Sequence, residues 1–146
     1  MGAGSPRKSA EQCPAGKRYS EMAKVLVVED NPANLTLATF LLESAGHSVL
    51  TARDGETGVA LAGAEQPDLI LMDIQLPGMD GLRATALLKG DAATHDIPVI
   101  ALTALAMKGD EARIRAAGCD GYIAKPLSYK DFLTTISTAL AKRAAV

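Results

Sequence analysis

Tryptophan is absent from the 146 residues, and three tyrosines and two phenylalanines are all the chain has beside it. Surfaces that stack nucleic-acid bases need aromatic platforms, which this chain scarcely supplies. A charge of one sign is missing too: 15 Lys and Arg against 17 Asp and Glu leave a net charge of -2. No basic excess is available to follow a phosphate backbone or an anionic bilayer. No apolar run approaches the roughly 20 residues of a membrane span, and the N-terminus lacks a signal-peptide hydrophobic region. Neither nucleic acid nor membrane is therefore an expected partner, and the cytoplasm is the expected location. Cysteine is scarce. Cys13 and Cys119 belong to no CxxC or Cys/His cluster. Cys119, between Gly118 and Asp120 after an expected helix, reads as a lone buried or half-buried thiol.

What the chain does have is a hydrophobic fraction of 48%, ordinary for a globular protein. Its length suits one domain with one sizeable core. Residues 1–21 are rich in Gly, Ser, Ala, Lys and Pro without a hydrophobic period, so a disordered N-terminal extension is expected there. The domain proper is expected to span 22–146.

From Lys24 onward, short apolar runs alternate with helical periods. Strands are expected at 24–28, 48–52, 68–72, 97–102 and 121–124. Asn31-Pro32 supplies an N-cap and a proline at the first helical position. Leu35, Ala38, Leu42 and Ala45 continue at helical spacing until Gly46. Asp54-Gly55 opens an Ala-rich helix whose inner face includes Val59 and Ala62. Further helices are expected at 81–89 and 107–117. A last one follows Ser128 and Asp131, which resemble a capping box, with Phe132, Leu133, Ile136, Ala139 and Leu140 facing inward. This alternation points to an α/β fold with a parallel sheet covered on both faces. The first, third and fourth strands are the most apolar and should be central, while the second, with Ser48 and Thr51, suits an edge. A flavodoxin-like, doubly wound order 2-1-3-4-5 is compatible with this pattern, although the pattern does not select it.

Each apolar run delivers polar groups at its C-terminal end. Glu29 and Asp30 follow Val25-Leu26-Val27-Val28, Asp73 follows Leu69-Ile70-Leu71-Met72, Thr103 follows Val99-Ile100-Ala101-Leu102, and Lys125 follows Tyr122-Ile123-Ala124. Taken singly, Asp30 and Asn31 could cap a helix, Asp73 could start a turn, Thr103 could cap, and Lys125 could be solvated. Those readings leave the shared location unexplained, and ligands of open α/β sheets bind at that edge. Three carboxylates at one mouth repel each other and call for a cation, for which Mg²⁺ is the hard, oxygen-seeking candidate. A lysine and a threonine nearby are surplus for a structural metal but suit a visiting phosphoryl group. Aspartate is also a covalent phosphoryl acceptor. The residues thus read as a site for Mg²⁺-assisted phosphorylation of an aspartate. An Asp-nucleophile phosphatase is the competing enzyme class, but it would want an Asp-x-Asp motif where Glu29-Asp30-Asn31 stands. A flavodoxin-like mononucleotide binder would want phosphate-donating Ser, Thr and Gly there instead.

Val27-Val28-Glu29-Asp30-Asn31, the segment 71–81 (Leu-Met-Asp-Ile-Gln-Leu-Pro-Gly-Met-Asp-Gly), Ala101-Leu102-Thr103-Ala104 and Tyr122-Ile123-Ala124-Lys125-Pro126 together resemble the receiver domain of two-component response regulators, the CheY-like superfamily. The likeness covers 24–142 in the family's order and spacing. The stretch 106–111 is similar to stand-alone regulators of the DivK type and to receivers of hybrid histidine kinases. The resemblance implies Asp73 as phosphoacceptor, with Asp30 a direct Mg²⁺ ligand, Glu29 acting through a metal-bound water, and the Gln75 carbonyl a further ligand. It implies that Lys125 pairs with acyl-phosphate oxygens, that the Lys125-Pro126 bond is cis, and that Thr103 and Tyr122 form a switch pair. Glu29 stands where the family more often has Asp. The implied partners are a histidine kinase or histidine phosphotransfer protein and a downstream protein at the face of the fourth helix, fifth strand and fifth helix. The expected function is that of a single-domain regulator, with the receiver of a hybrid kinase as the alternative. Its only catalysis would be its own aspartyl phosphorylation and dephosphorylation. No DNA-binding or enzymatic output domain is expected after the last helix.

Overall fold

Val25, Leu26, Val27 and Val28 are all completely buried, as a strand covered on both faces must be. The computed structural model describes residues 23–104, 108–125 and 127–144. The expected disordered segment 1–21, Cys13 and the expected cis bond to Pro126 lie outside them. The elements run β1 (Lys24–Val28), α1 (Pro32–Ser44), β2 (Ser48–Ala52), α2 (Gly55–Glu65), β3 (Leu69–Asp73), α3 (Gly81–Lys89), β4 (Val99–Thr103), α4 (Lys108–Ala116), β5 (Gly121–Ala124) and α5 (Tyr129–Ala144).

The strands form one parallel sheet in the order β2-β1-β3-β4-β5. This is the doubly wound flavodoxin-like arrangement, with β1, β3 and β4 inside and β2 at an edge. Strand alternation divides the core in two. Val25, Val27, Leu69, Leu71, Ile100, Leu102 and Ile123 pack with Ala38, Leu41 and Leu42 of α1 and Phe132 and Ile136 of α5. Leu26, Val28, Ile70, Met72, Val99 and Ala101 face the other way, against Ala62 of α2, Ala84 and Leu88 of α3, and Ile114 of α4.

Several boundaries differ from the sequence expectation. β3 and β4 each run on to include the polar residue at their end, Asp73 and Thr103. β4 also starts later than expected, because the Ile97 amide is taken by Thr94 O within the preceding turn and Pro98 has no amide. In α1 the inward residues are Ala38, Leu41 and Leu42, whereas Ala45 is the exposed C-cap. Asn31 alone caps that helix, its Oδ1 accepting from the amides of Ala33 and Asn34 at 2.9 and 3.1 Å. In α2 Ala62 and the half-buried Val59 pack inward as expected, and Gly58 makes a close approach to β1 that the sequence does not announce. A Cβ at Gly58 would lie 2.7 Å from Val28 Cγ2, so a larger residue would push α2 off β1.

Candidate functional site

Parallel pairing places Val28 beside Met72, Asp73 beside Leu102, and Thr103 beside Ala124. The residues at or just after these strand ends therefore meet on one edge of the sheet. Glu29, Asp73 and Thr103 are buried there, while Asp30 is half-exposed. One carboxylate oxygen each from Glu29, Asp30 and Asp73 fits within 4.8 Å of the others. Lys125 Nζ reaches in from beyond β5 to 3.0 Å from Glu29 Oε1 and 3.1 Å from Asp73 Oδ2.

Local backbone fixes two of the carboxylates. Glu29 Oε2 accepts the Asn31 amide at 3.1 Å, and Asp73 Oδ1 accepts the Gln75 amide at 2.9 Å. The latter is the turn that the sequence allowed for Asp73, and it coexists with the site. The Lys125 amide donates to Thr103 O at 2.7 Å, which ties the lysine to the end of β4. Glu29 Oε1 is the exception. It is fully buried and takes no backbone amide among the described residues, and the Lys125 ammonium 3.0 Å away is its ion-pair partner.

Burial pushes the Glu29 carboxyl up, and neighbouring Asp73 adds to this against the opposing pull of Lys125 and the Asn31 amide. Burial also disfavours the Lys125 ammonium, but Glu29 and Asp73 outweigh it and hold its proton above the usual lysine range. Three carboxylates thus face a single ammonium. The set is short of positive charge, and all its donors are hard oxygens. Those features suit a small divalent cation such as Mg²⁺, with Glu29, Asp30 and Asp73 as the residues able to hold it.

All the polar residues singled out at strand ends in the sequence come together. Tyr122 sits a little apart, half-buried against the core on the α3 and α4 side, opposite Ala101. Two features escaped the sequence. Arg53 Nη2 donates to Asp30 O at 3.1 Å, a contact that no local pattern announces. Leu37 and Phe40 are exposed on α1 and, with Pro32, Ala33 and Thr36, form a shallow apolar groove starting two residues after Asp30. Their positions off the inward helical face were the available signal. Cys119 is a buried free thiol, as expected. Among the described residues no helix is long and apolar enough to cross a membrane.

Residues 25–137 match the response regulator receiver domain. The chain is 50% identical over 116 residues to the polar-differentiation response regulator DivK of Brucella anthropi, covering 80% of this chain and 94% of that protein. Among solved structures it is similar to the receiver domain of a sensor histidine kinase from Pseudomonas aeruginosa, at a TM-score of 0.77 and 35% identity over 82% of this chain and 98% of that one. That structure holds a magnesium ion coordinated in its active site cleft. Chemotaxis protein CheY4 of Vibrio cholerae is similar at a TM-score of 0.77 and 28% identity, over 81% of this chain and 98% of that one. The sheet order, the acidic strand ends and these likenesses agree: the chain belongs to the response regulator receiver domain family.

Proposed function

We propose that this receiver works as a single-domain two-component response regulator whose signal is a phosphoryl group carried on Asp73. The observation that carries this reading is the Asp73 carboxylate, buried at the sheet edge between a lysine ammonium and two further carboxylates. In the transfer, an Asp73 oxygen bonds to the phosphorus of a phosphohistidine donor. The phosphorus–nitrogen bond breaks, and its electron pair stays with the imidazole. Asp30 and Asp73, the Gln75 carbonyl and, through water, Glu29 are the groups proposed to hold Mg²⁺. Bound there, the ion would neutralise charge on the phosphoryl oxygens. Lys125, already poised between Glu29 and Asp73, exchanges these partners for a phosphoryl oxygen, and the Thr103 hydroxyl donates to another.

The donor is a histidine kinase or a histidine phosphotransfer protein, and it meets the exposed Leu37 and Phe40 groove of α1 on its way to the mouth. The output surface is the face of α4, β5 and α5, read by a downstream protein in the cytoplasm. The receiver occupies 22–146, with 1–21 an extension that the switch does not need. The stand-alone reading, rather than the receiver of a hybrid kinase, is supported by the DivK relative, whose length is matched almost throughout.

Intact-mass spectrometry after incubation with acetyl phosphate and Mg²⁺ tests the chemistry. One labile phosphoryl adduct is expected, prevented by EDTA and lost in Asp73→Asn, whose amide is nearly isosteric but a poor nucleophile. Undiminished labelling of the variant would falsify the assignment.

A further inference from the structure

Of the three clustered carboxylates, Asp30 is the one whose side chain no hydrogen bond or ion pair holds among the described residues. Glu29 is fixed by the Asn31 amide, and Asp73 by the Gln75 amide and Lys125. The position of the Asp30 carboxylate must then come from its backbone. That backbone is gripped from β2. The Glu29 amide donates to Ala52 O at 3.0 Å, and the next residue along, Arg53, donates from Nη2 to Asp30 O at 3.1 Å.

Arg53 is exposed, and it pairs with no carboxylate among the described residues. A guanidinium beside an acidic cluster would ordinarily take a carboxylate in a forked pair. Here it takes the neutral carbonyl instead and leaves the carboxylate oxygens available. The turn that carries it is itself rigid. Asp54 accepts the Thr57 amide at 2.7 Å and the Thr57 hydroxyl at 3.1 Å. Gly55 lies so close to the loop after Asp73 that a Cβ would come 3.1 Å from Met79 O. The segment 53–55 therefore touches both sides of the site, Asp30 through Arg53 and the Asp73 loop through Gly55.

We infer that Arg53 is a positioning residue for the divalent cation, holding the otherwise untethered Asp30 in line with Glu29 and Asp73. The inference rests on the proposed role of Asp30 as a ligand. A cation beside a cation site also repels, but the exposed guanidinium is screened by water and salt, so its tethering role dominates. Such supporting hydrogen bonds around metal ligands are commonly worth tenfold or more in affinity.

Calorimetric Mg²⁺ titration of wild type, Arg53→Met, Arg53→Lys and Asp30→Ala, with melting temperatures of the metal-free proteins, tests this. Arg53→Met is expected to bind Mg²⁺ about tenfold more weakly with an unchanged metal-free melting temperature. Arg53→Lys should regain part of the loss, since an ammonium can donate to the same carbonyl. The deficit of Arg53→Met should persist at about 0.5 M salt, where a pure charge effect would fade. Binding by Arg53→Met as tight as wild type or tighter overturns the inference. So does a loss that Arg53→Lys does not reduce and that comes with a lowered melting temperature, the mark of a merely structural contact. Asp30→Ala separates the two levels. If it binds Mg²⁺ like wild type, the ligand reading fails and the brace with it. If it binds poorly while Arg53→Met binds normally, only the brace fails.

Discussion

Lys125 Nζ lies 3.1 Å from Asp73 Oδ2 although β4 separates the strands that lead to them, β5 and β3. The ammonium spans the end of the intervening strand, where Thr103 sits and where the Lys125 amide is anchored to Thr103 O. One cation thereby reports on three strand ends at once. Anything that draws Lys125 away from Asp73 also acts on the segment joining β5 to α5. The proposed chemistry at Asp73 would be coupled in this way to the far side of the sheet, through contacts that all lie within one row of residues.

The same geometry makes Lys125 important for stability. In Lys125→Met two buried carboxylates lose their shared counterion, and orphaning a buried charge costs about 3 kcal/mol or more. Chemical denaturation of the metal-free protein near neutral pH should show a loss of that order. An unchanged midpoint would mean that solvent already neutralises Glu29 and Asp73, contrary to their burial.

Gly81 is a second point of strain if altered. A Cβ there would strike Asp73 O and lie 2.7 Å from Ile74 Cα, both backbone atoms that cannot swing aside. Gly81→Ala should therefore cost about 1–3 kcal/mol, the usual penalty of overpacking. Because the displaced atoms belong to the proposed phosphoacceptor and the residue after it, labelling by acetyl phosphate should slow as well. A variant that keeps wild-type stability and wild-type labelling would show that the loop yields freely.

Much of this was legible in the sequence because the central strands are buried on both faces and so appear as unbroken apolar runs. A polar residue at the end of such a run stands out, which is why Glu29, Asp30, Asp73, Thr103 and Lys125 are legible as one group in the sequence. The order of the strands was not legible, since parallel pairing leaves no local mark. The inward residues Val59 and Ala62 of α2 were legible, but the close approach of Gly58 to β1 was not, since a glycine carries no hydrophobic signal. Arg53 was missed because its acceptor is a backbone carbonyl 23 residues earlier, so its role depends on tertiary structure alone. Lys89 is similar. It donates to Ile97 O and to Asp120 Oδ2, each at 2.9 Å, pinning α3 to the starts of β4 and β5 from a position that reads as ordinary surface charge.

His47 gives the fold a dependence on pH. It is buried, and its Nδ1 accepts the Ala23 amide at 3.0 Å, so it must be neutral to serve. Burial lowers its pKa from the usual 6.5, against the weaker pull of Asp68. The unfolded chain thus takes up a proton before the folded one does. The contribution is complete above about pH 6.5 and is lost as pH falls below it. Urea midpoints measured across this range should fall by the equivalent of about 1 kcal/mol, the worth of one such hydrogen bond. His47→Gln keeps a possible acceptor without the titration, and its stability should vary less over the same interval. Parallel curves for the two proteins would assign the pH dependence elsewhere.

The last prediction concerns how phosphorylation of Asp73 would reach the proposed output face. Thr103 ends β4 fully buried, one strand away from Asp73, and Tyr122 lies half-buried on β5 opposite Ala101. A phosphoryl group on Asp73 places new acceptor oxygens beside the Thr103 side chain. If its hydroxyl turns to donate to them, space opens next to α4, and the Tyr122 ring can move inward to fill it. Moving such a two-state switch from one part in a hundred to the reverse takes about 5.5 kcal/mol of differential contact, so the phosphoryl contacts must favour one arrangement strongly. Thr103→Ala should still accept phosphate, because the nucleophile and the carboxylate cluster remain, but amide hydrogen exchange across 111–124 should respond less to phosphorylation. Tyr122→Ala should also accept phosphate, and it should lose the exchange response of β5 in particular. The two variants together distinguish a relay from independent local changes: a relay predicts that the double variant behaves like Thr103→Ala. If both single variants keep the full wild-type response, the signal leaves Asp73 by the Lys125 anchor and not by this pair.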